Sequence, residues 1–466
     1  MAPVSSFHGP DLPVVPDVPD VPTRAFQKHE RVLRVAIEAQ ISQGVQGGLE
    51  QYLMALAAGL RDEARGEWAY TVLASHEDRD WMRPFVGPDH DIVARPVEAP
   101  SPAEGLKKWL GPARGPAGRI WRHTLKLAGQ EAPEREQPAI VVSDGFIERL
   151  GADLVHFPYI AHYEQTTVPA VLTVHDLQHR HFPEFFSKSH LAWREAAYPA
   201  AMAHATIVVA DSDFVRDDIV RQYAVPVDKV VTIPLASSLG VHQRPSREFC
   251  ERLRQRWQLP DVFALYPAMT NEHKNHARLL DAVAKLRDQG RIVHIVCSGK
   301  QAHVWPAIQR RLRELRLEDQ VRFTGFIASD ELLALYALTQ FIVFPSLFEG
   351  AGLPVLEAME QGVPITCSDI PPLREYAGET ALFFDPSSVD AIAQAIEGMS
   401  GDAAMRYRLR DGALRRAELF TPREMARRHH EVYWKALAMR QCGPISSLPH
   451  FLSRSHVHPT HSTDQG

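Results

Sequence analysis

The sequence has few cysteines, no long apolar run and no marked excess of one charge. Its cysteines, Cys250, Cys297, Cys367 and Cys442, are scattered without the paired spacing of a metal site. Two of them lie in apolar runs, so we expect reduced packing residues in a cytoplasmic protein. No segment approaches the roughly 18 apolar residues of a membrane span, and no basic and apolar signal-peptide pattern opens the chain. The formal net charge of −6 gives no general attraction to nucleic acid.

The composition that remains is that of a folded soluble protein with two polar ends. Hydrophobic residues make up 45% of the 466 residues and charged residues 23%. At about 150 residues per domain this length allows two or three domains. Residues 1–30 contain six prolines, which predicts a disordered or extended arm. Residues 443–466 are polar and rich in histidine, which predicts a disordered tail.

Between these ends, short apolar runs alternate with helical segments. This alternation predicts parallel sheets with helices on both faces and ligands at the carboxyl ends of the strands. The pattern breaks near 237–245, a plausible hinge, so we expect one doubly wound α/β domain over 31–240 and another over 241–420. A capping box at Thr421, Pro422 and Glu424 predicts a further helix over 421–442. The predicted strands are 35–37, 71–74, 139–142, 154–157, 171–174, 206–210, 230–233, 262–265, 292–297, 321–324, 341–344, 365–367 and 382–384.

The most informative stretch runs from 340 to 369 and reads QFIVFPSLFEGAGLPVLEAMEQGVPITCSD. Its apolar run predicts a buried parallel strand, and Pro354 suits the first position of a helix that Gly362 ends. The loop between strand and helix offers backbone N–H groups at a helix start, and Gly350 and Gly352 let an anion approach closely. This arrangement predicts a phosphate or diphosphate site.

Two acids, Glu349 and Glu357, flank that loop with seven residues between them. Beside a diphosphate they would repel it unless each had another partner. A carboxylate accepts hydrogen bonds, and a sugar or ribose presents several O–H donors. The pattern therefore predicts a nucleotide-sugar site, and the alternative is a capped helix with a solvated glutamate at each end.

The segment FPSLFEGAGLPVLEAMEQGVPI resembles the donor-site signature of the GT-B retaining glycosyltransferases of family 4, the group 1 glycosyl transferases. The resemblance covers roughly 32–439. It implies two Rossmann-like domains facing each other across a cleft, with the last helix crossing back onto the first domain. It also implies hexose transfer with retention of configuration and without a metal or another cofactor. Glu349 would hold the hexose hydroxyls and Glu357 the ribose, with Gly350, Gly352 and Leu353 also at the donor.

His175 and Asp176 follow a predicted strand, which places them at the edge of the cleft. The segment VHDLQHRHFPEFF resembles the part of this family in which a histidine lies near the transferred sugar. His175 would then bind a donor hydroxyl or orient the acceptor. One alternative is a strand-end histidine satisfied by backbone, and another is a metal site with His179 and His181.

Asp211, Ser212 and Asp213 end another predicted strand. The triplet could be the metal-binding DxD motif of the other large glycosyltransferase fold. Ser212 matches the serine found at this strand end in family 4, which implies a place at the donor. We favour a capping role for the triplet at the start of the next helix.

Lys274 lies in the segment YPAMTNEHKNHARLL, between a strand end and a helix start. A cation there would neutralise the charge that develops on the leaving diphosphate. The resembled family often carries an arginine five or six residues earlier, where this chain has Met269 and Ala268. We expect His273 or a backbone dipole to supply the missing charge.

Three further residues belong to the predicted cleft. Gly47 and Gly48 precede a helix predicted over 49–60 and offer bare backbone N–H groups, although an ordinary tight turn would also explain them. Phe326 follows the strand at 321–324, where the family makes main-chain contacts to the nucleotide base. The identity of that base leaves no side-chain pattern in the sequence.

The segment 105–126 combines six basic residues and two tryptophans with no acidic residue. This pairing suits peripheral contact with an anionic membrane at its inner face, and the alternative is a flexible basic loop. We expect a carbohydrate or lipid-linked acceptor and a role in polysaccharide or glycolipid synthesis. The alternatives are a nucleotide-sugar epimerase or hydrolase on the same fold, and a non-catalytic nucleotide-sugar-binding protein.

Overall fold

The computed structural model describes residues 32–41, 47–63, 66–76, 78–88, 90–95 and 140–441. The predicted arm at 1–30, the tail at 443–466 and the basic segment 105–126 lie outside the described residues, as does Cys442. Within the described ranges, no helix is both long enough and apolar enough to cross a bilayer.

The first half of the chain forms a seven-stranded parallel sheet and a small separate ladder. Its strands are β1 (Leu33–Ala39), β2 (Trp68–Ala74), β3 (Asp91–Ala94), β4 (Val141–Val142), β5 (Leu154–Phe157), β6 (Glu164–Gln165), β7 (Ala170–Val174), β8 (Ile207–Ala210) and β9 (Val230–Thr232). The order in the large sheet is β3-β2-β1-β5-β7-β8-β9, and its paired strands are parallel.

The strand predicted over 139–142 is confirmed at Val141 and Val142, but it does not belong to the large sheet. It pairs with β6 in the separate ladder, and Val142 is 72% exposed. Apolar residues alone therefore did not bring this segment into the core. The strand β3 was missed because its run is short, begins with an aspartate and is followed by an arginine.

The second half of the chain forms a six-stranded parallel sheet in the order β12-β11-β10-β13-β14-β15. Its strands are β10 (Ala264–Pro267), β11 (Ile295–Ser298), β12 (Val321–Gly325), β13 (Phe341–Phe344), β14 (Ile365–Ser368) and β15 (Ala381–Phe384). The central strands are buried along their whole length, because helices cover both faces of the sheet. This explains why they read as continuous apolar runs rather than alternating ones.

The helices of the first half are α1 (Gly48–Glu63), α2 (Phe146–Arg149), α3 (Gln178–His181), α4 (Lys188–His204) and α5 (Asp213–Tyr223). Those of the second half are α6 (Arg247–Trp257), α7 (His276–Asp288), α8 (Trp305–Glu314), α9 (Ser329–Leu338), α10 (Leu353–Gln361), α11 (Pro371–Ala377), α12 (Val389–Gly401), α13 (Ala403–Ala417) and α14 (Pro422–Gln441).

The last helix, α14, lies on the first domain and joins its core. Met425, Val432 and Tyr433 belong to the same apolar cluster as α1 and β1. The Thr421 hydroxyl accepts from the Glu424 N–H at 3.2 Å, as one half of the predicted capping box. The Glu424 carboxylate instead accepts hydrogen bonds from arginines of its own helix.

Buried hydrogen bonds fix the position of α14 on that domain. His156 lies 2.8 Å from the Tyr433 hydroxyl and 2.9 Å from the Thr173 hydroxyl. The Tyr52 hydroxyl lies 3.1 Å from both Thr173 and His429. All five side chains are almost fully buried, so this network makes the crossing helix part of the first domain rather than a loose appendage.

The first part of the segment that connects the two domains is buried. Ser237, Ser238 and Leu239 are at most 3% exposed, and the Ser238 hydroxyl bonds to Gln51 of α1. A Cβ atom at Gly240 would lie 2.0 Å from the Glu360 carboxylate of α10. The start of the predicted hinge is therefore packed between the two domains, whereas Val241 beyond it is 38% exposed.

Candidate active site

A cavity of about 710 Å³ lies between the domains, at the carboxyl ends of both parallel sheets. Ten of the eleven predicted site residues line it, and Ser212 is the exception. The first domain contributes Gly47, Gly48 and His175, and the second domain contributes Lys274, Phe326, Glu349, Gly350, Gly352, Leu353 and Glu357.

The loop and helix between β13 and β14 form one wall of the cavity. Gly352 adopts φ 99°, which suits glycine, and a Cβ atom there would lie 2.3 Å from Leu373. The helix α10 begins at Leu353, one residue before the predicted first position at Pro354, which falls in its first turn. Gly362 ends it at φ 64° as predicted. Leu353 therefore brings a helix N-terminus to the cavity wall, where the dipole favours an anion.

Gly350 has a second reason to be glycine that the sequence did not reveal. A Cβ atom at this position would lie 1.9 Å from the backbone oxygen of His175 in the other domain. The Ser212 hydroxyl donates to the Gly350 carbonyl at 2.7 Å. Gly350 thus allows the two domains to approach each other, in addition to any contact it makes with a ligand.

Ser212 is fully buried, and its hydroxyl also accepts from the Val215 N–H at 3.2 Å. This contact confirms the predicted cap of α5. Since Ser212 does not line the cavity, its contribution to the site is indirect and runs through Gly350.

Lys274 and Glu349 form an ion pair at 2.6 Å, with side chains that are 16% and 11% exposed. Lys274 ends a short 3₁₀ turn, and Asn275 follows it in the left-handed conformation at φ 59°. The Asn275 amide donates to the carbonyls of Pro345 and Pro386, which fixes the turn against β13. A lysine has three N–H donors, so two remain for phosphate oxygens beside the one given to Glu349.

The expectation that His273 supplies the missing positive charge is wrong. Burial, together with the nearby charge of Lys274, lowers the pKa of His273 to about 3, so the imidazole is neutral at pH 7. His273 is also absent from the residues that line the cavity in the described part of the chain. Lys300, which follows β11 and does line the cavity, was missed and is the better-placed cation. A position just after a strand end could have indicated it.

Glu357 is 5% exposed and accepts a hydrogen bond from the Tyr336 hydroxyl at 2.7 Å. Burial raises its pKa to about 7; the Tyr336 hydrogen bond opposes the shift and nearby Glu360 adds to it. The carboxyl group therefore changes charge near neutral pH at the cavity wall. This is a common feature of a functional carboxylate.

His175 lines the cavity from the first domain. Its Nδ1 lies 2.7 Å from Oδ2 of Asp211, whose side chain is 3% exposed. Its Nε2 has no hydrogen-bond partner among the described residues. Burial lowers the pKa of His175, but the charge and hydrogen bond of Asp211 raise it above its ordinary value. Tyr52 packs edge-on against the ring at 5.0 Å. His175 is thus held in place as a hydrogen-bond donor.

The metal alternatives find no support in the side-chain contacts. His179 bonds to the Tyr223 hydroxyl at 2.8 Å, and His181 bonds to Asp218 at 2.6 Å. Asp213 accepts from the Thr232 hydroxyl at 2.7 Å and so points to a different partner from Asp211. In the described ranges, no cluster of three or more His, Cys, Asp or Glu is arranged to hold a metal ion.

An aromatic group at the cavity wall was also missed. Trp81 and Phe85 follow β2, and His242 lies in the connector between the domains. Phe85 meets His242 edge-to-face at 6.0 Å. The Trp81 indole N–H has no hydrogen-bond partner among the described residues, although the side chain is only 8% exposed. Their position beyond a strand end could have indicated them.

Each half of the chain matches a different family model. Residues 46–236 match the family Glycosyltransferase Family 4, and residues 251–416 match Glycosyl transferases group 1. The first range contains His175 and Asp211. The second contains Lys274 and both acids.

Several relatives of known activity are similar to the chain. O-antigen chain mannosyltransferase B of Escherichia coli is 33% identical over 241 residues, which are 50% of this chain and 62% of that protein. The serotype-specific mannosyltransferase WbdA of Escherichia coli is 31% identical over 229 residues, 48% of this chain and 28% of that protein. Alpha-D-kanosaminyltransferase of Streptomyces kanamyceticus is 24% identical and is matched over 65% of its length. The chain spans less than two thirds of each of these relatives.

Solved structures resemble the whole described fold. HepE of Anabaena, in complex with UDP and glucose, superposes with a TM-score of 0.62 at 18% identity, covering 86% of this chain and all of that one. Sucrose-phosphate synthase of Thermosynechococcus elongatus gives 0.60 at 18% identity, covering 87% and 100%. This likeness shows the fold, which is the GT-B arrangement of two Rossmann-like domains.

Proposed function

Because the chain belongs to the group 1 glycosyl transferases, we propose that it moves a hexose from a nucleotide-diphosphate sugar to a hydroxyl acceptor, with retention of configuration. One observation carries this proposal. The Lys274–Glu349 pair and the N-terminus of α10 meet His175 of the opposite domain around one cavity.

The second domain holds the donor. Glu357 accepts the ribose hydroxyls, and the free N–H groups of Lys274 bind the diphosphate together with the helix start at Leu353. Lys300 adds a second positive charge in place of the arginine of the resembled family. Glu349 is already oriented by Lys274, and it accepts hydroxyls of the hexose.

Charge develops on the diphosphate as its bond to the hexose breaks, and Lys274 stabilises that charge without a metal ion. The acceptor oxygen attacks from the face that the diphosphate leaves, and the proton of the acceptor hydroxyl passes to the departing diphosphate oxygen. His175 donates its Nδ1–H to Asp211, and its raised pKa favours the doubly protonated ring, so Nε2 also carries a proton and acts as a donor to the sugar and not as a base.

The acceptor is a carbohydrate or a lipid-linked sugar, in the synthesis of a cell-surface polysaccharide or glycolipid. The relatives that act on O-antigen chains support this class and make a mannose-bearing donor the first to test. A cytoplasmic location and membrane contact through 105–126 stay predictions.

The test has two stages. Thermal unfolding is first measured with UDP-, GDP- and ADP-sugars, since a ligand that binds only the folded state raises the midpoint. The best donor is then incubated with an acceptor panel, and NMR of the early product reports the anomeric configuration. Retention supports the proposal, and inversion contradicts it. Donor consumption without an acceptor would indicate an epimerase or hydrolase, and binding without turnover a non-catalytic protein.

A further inference from the structure

The loop that follows β8 in the first domain is held by the second domain. Three hydrogen bonds converge on it. The Ser212 hydroxyl donates to the Gly350 carbonyl at 2.7 Å, and the Asp213 N–H donates to the Glu375 carboxylate at 2.8 Å. The Tyr376 hydroxyl donates to the Asp211 carbonyl at 2.5 Å. Three residues in a row therefore depend on partners across the domain interface.

Glu375 completes the start of α5 from outside its own domain. Both carboxylate oxygens lie within 3.0 Å of the Asp213 N–H, and one lies 3.4 Å from the Phe214 N–H. The first N–H groups of a helix have no partner within it, and a carboxylate there also interacts favourably with the helix dipole. Ser212 supplies the next contact, to Val215. The Asp213 and Phe214 N–H groups thus have these protein partners only when the domains are together.

Tyr376 joins two separate segments of the first domain. Its hydroxyl donates to the Asp211 carbonyl and accepts from the Leu235 N–H at 2.8 Å. The residue is 1% exposed, and its ring packs against Phe420 at 5.1 Å. Both hydrogen-bonding capacities of this buried hydroxyl are therefore used on the opposite domain.

Asp211 links these contacts to the cavity, because its carboxylate accepts from Nδ1 of His175 at 2.7 Å. We propose that Glu375 and Tyr376 are positioning residues for His175. They fix the main chain of Asp211, whose carboxylate then holds the imidazole in its orientation at the cavity wall. This inference rests on the proposed function for its catalytic consequence, although the contacts themselves do not depend on it.

The consequence is that docking of the two domains completes the site. The second domain carries the donor-binding loop, and its next helix, α11, orders the histidine of the first domain. The same interface ties Gly350 of the donor loop to Ser212. When the domains separate, His175 loses its fixed orientation and the donor loop loses its contact with Ser212. An open enzyme that retains its donor therefore transfers slowly.

The direct test follows the titration of His175 by NMR in protein with isotope-labelled histidine, with the signal assigned by its loss in His175→Gln. The groups that face the imidazole are Asp211, Asp176, Tyr52 and His156. The test variants are Tyr376→Phe and Glu375→Gln, each close in volume to the original. Tyr407→Phe is the matched control, since Tyr407 is 65% exposed in the second domain.

We expect the His175 pKa to fall toward its ordinary value in both test variants and to stay unchanged in Tyr407→Phe. In transfer assays, kcat should fall about tenfold, as for loss of other supporting hydrogen bonds behind a catalytic group, while nucleotide affinity is retained. A role limited to stability would lower the melting temperature without moving the titration.

An unchanged His175 titration in both folded test variants overturns the proposal, whatever their activity. If wild type transfers no hexose from any donor, the proposed function fails while the NMR result still decides whether these residues position His175. If Tyr376→Phe does not fold, Glu375→Gln decides the question, because its more accessible side chain tolerates the change.

Discussion

The two domains build their sides of the cavity in different ways. The second domain presents Lys274 and Glu349 as an ion pair within its own chain, and the start of α10 beside them also packs on the apolar cluster of the first domain through Leu353. The first domain presents His175, whose partner Asp211 is held from across the interface. The ion pair of the donor site therefore lies within one domain, whereas the fixed orientation of His175 depends on domain docking.

Replacing Lys274 tests the donor side of the cavity and should give the largest effect on transfer. Lys274→Ala removes the cation that stabilises the leaving diphosphate, so kcat should fall about a hundredfold, by more than KM rises. Steady-state kinetics with the best donor measures both constants. Lys285→Ala, at an exposed ion pair with Asp390, is the matched control. An unchanged kcat in Lys274→Ala would place the lysine outside the chemistry.

Replacing Gly350 tests the close contact between the two domains. In Gly350→Ala the new Cβ meets the backbone oxygen of His175, so the free energy of unfolding should fall by about 1–3 kcal/mol and transfer should fall with it. Nucleotide binding should survive, because Lys274 and Glu357 stay on one domain. Denaturant titration and calorimetry measure these effects.

Gly401→Ala is the control for that change, since no heavy atom lies within 4 Å of the Cβ position. Equal stability and activity in the two variants would contradict the account of a close contact between the domains at Gly350.

The pH dependence of nucleotide binding tests the role of Glu357 on the donor side. Glu357 accepts ribose hydroxyls when ionised, and its pKa is about 7, so affinity should fall as pH falls through 7, by up to about tenfold per unit. The ligand-free protein should behave in the opposite sense. Its folded state keeps a proton that the unfolded state loses, so this group lowers stability as pH rises from about 4.5 to 7.

Calorimetry at pH 6 and pH 8 measures the affinity change, and Glu357→Gln is the control because its amide does not titrate. A wild-type dependence that persists in Glu357→Gln would assign the effect to another group, such as Glu375.

Lys300 should give the smallest effect. It is exposed at the cavity wall, where solvent screens its charge, so Lys300→Ala should raise KM about threefold with little change in kcat. The increase should shrink as salt rises. If the KM of Lys300→Ala equalled that of wild type at every salt concentration, Lys300 would not be the substitute for the family's missing arginine.

The donor side could be predicted from the sequence because its chemistry is local. The run 341–344, the glycines and Pro354 specify a strand, a loop and a helix by short-range preferences, and both acids fall within nine residues. The position of His175 at a strand end followed from the parallel topology. Two doubly wound α/β domains were likewise readable from alternating strands and helices, whereas the GT-B arrangement was implied by the family resemblance of the donor-site segment.

The features of the site that could not be predicted depend on contacts between distant parts of the chain. Ser212 was expected at the donor and lies behind Gly350 instead, because the domain interface uses its hydroxyl. His273 was expected to carry charge, but its burial follows from packing that a single segment does not encode. Glu375 and Tyr376 lie at least 141 residues from these partners, so no local pattern could indicate them.

The central claim is that one site holds a nucleotide-sugar, with the ribose at Glu357 and the hexose at Glu349. Calorimetric titration of the free nucleotide and the nucleotide-sugar into wild type, Glu357→Ala and Glu349→Ala tests it most directly. The account predicts that Glu357→Ala weakens binding of both ligands, whereas Glu349→Ala leaves nucleotide affinity intact and reduces transfer. Equal nucleotide affinity in wild type and Glu357→Ala would contradict it.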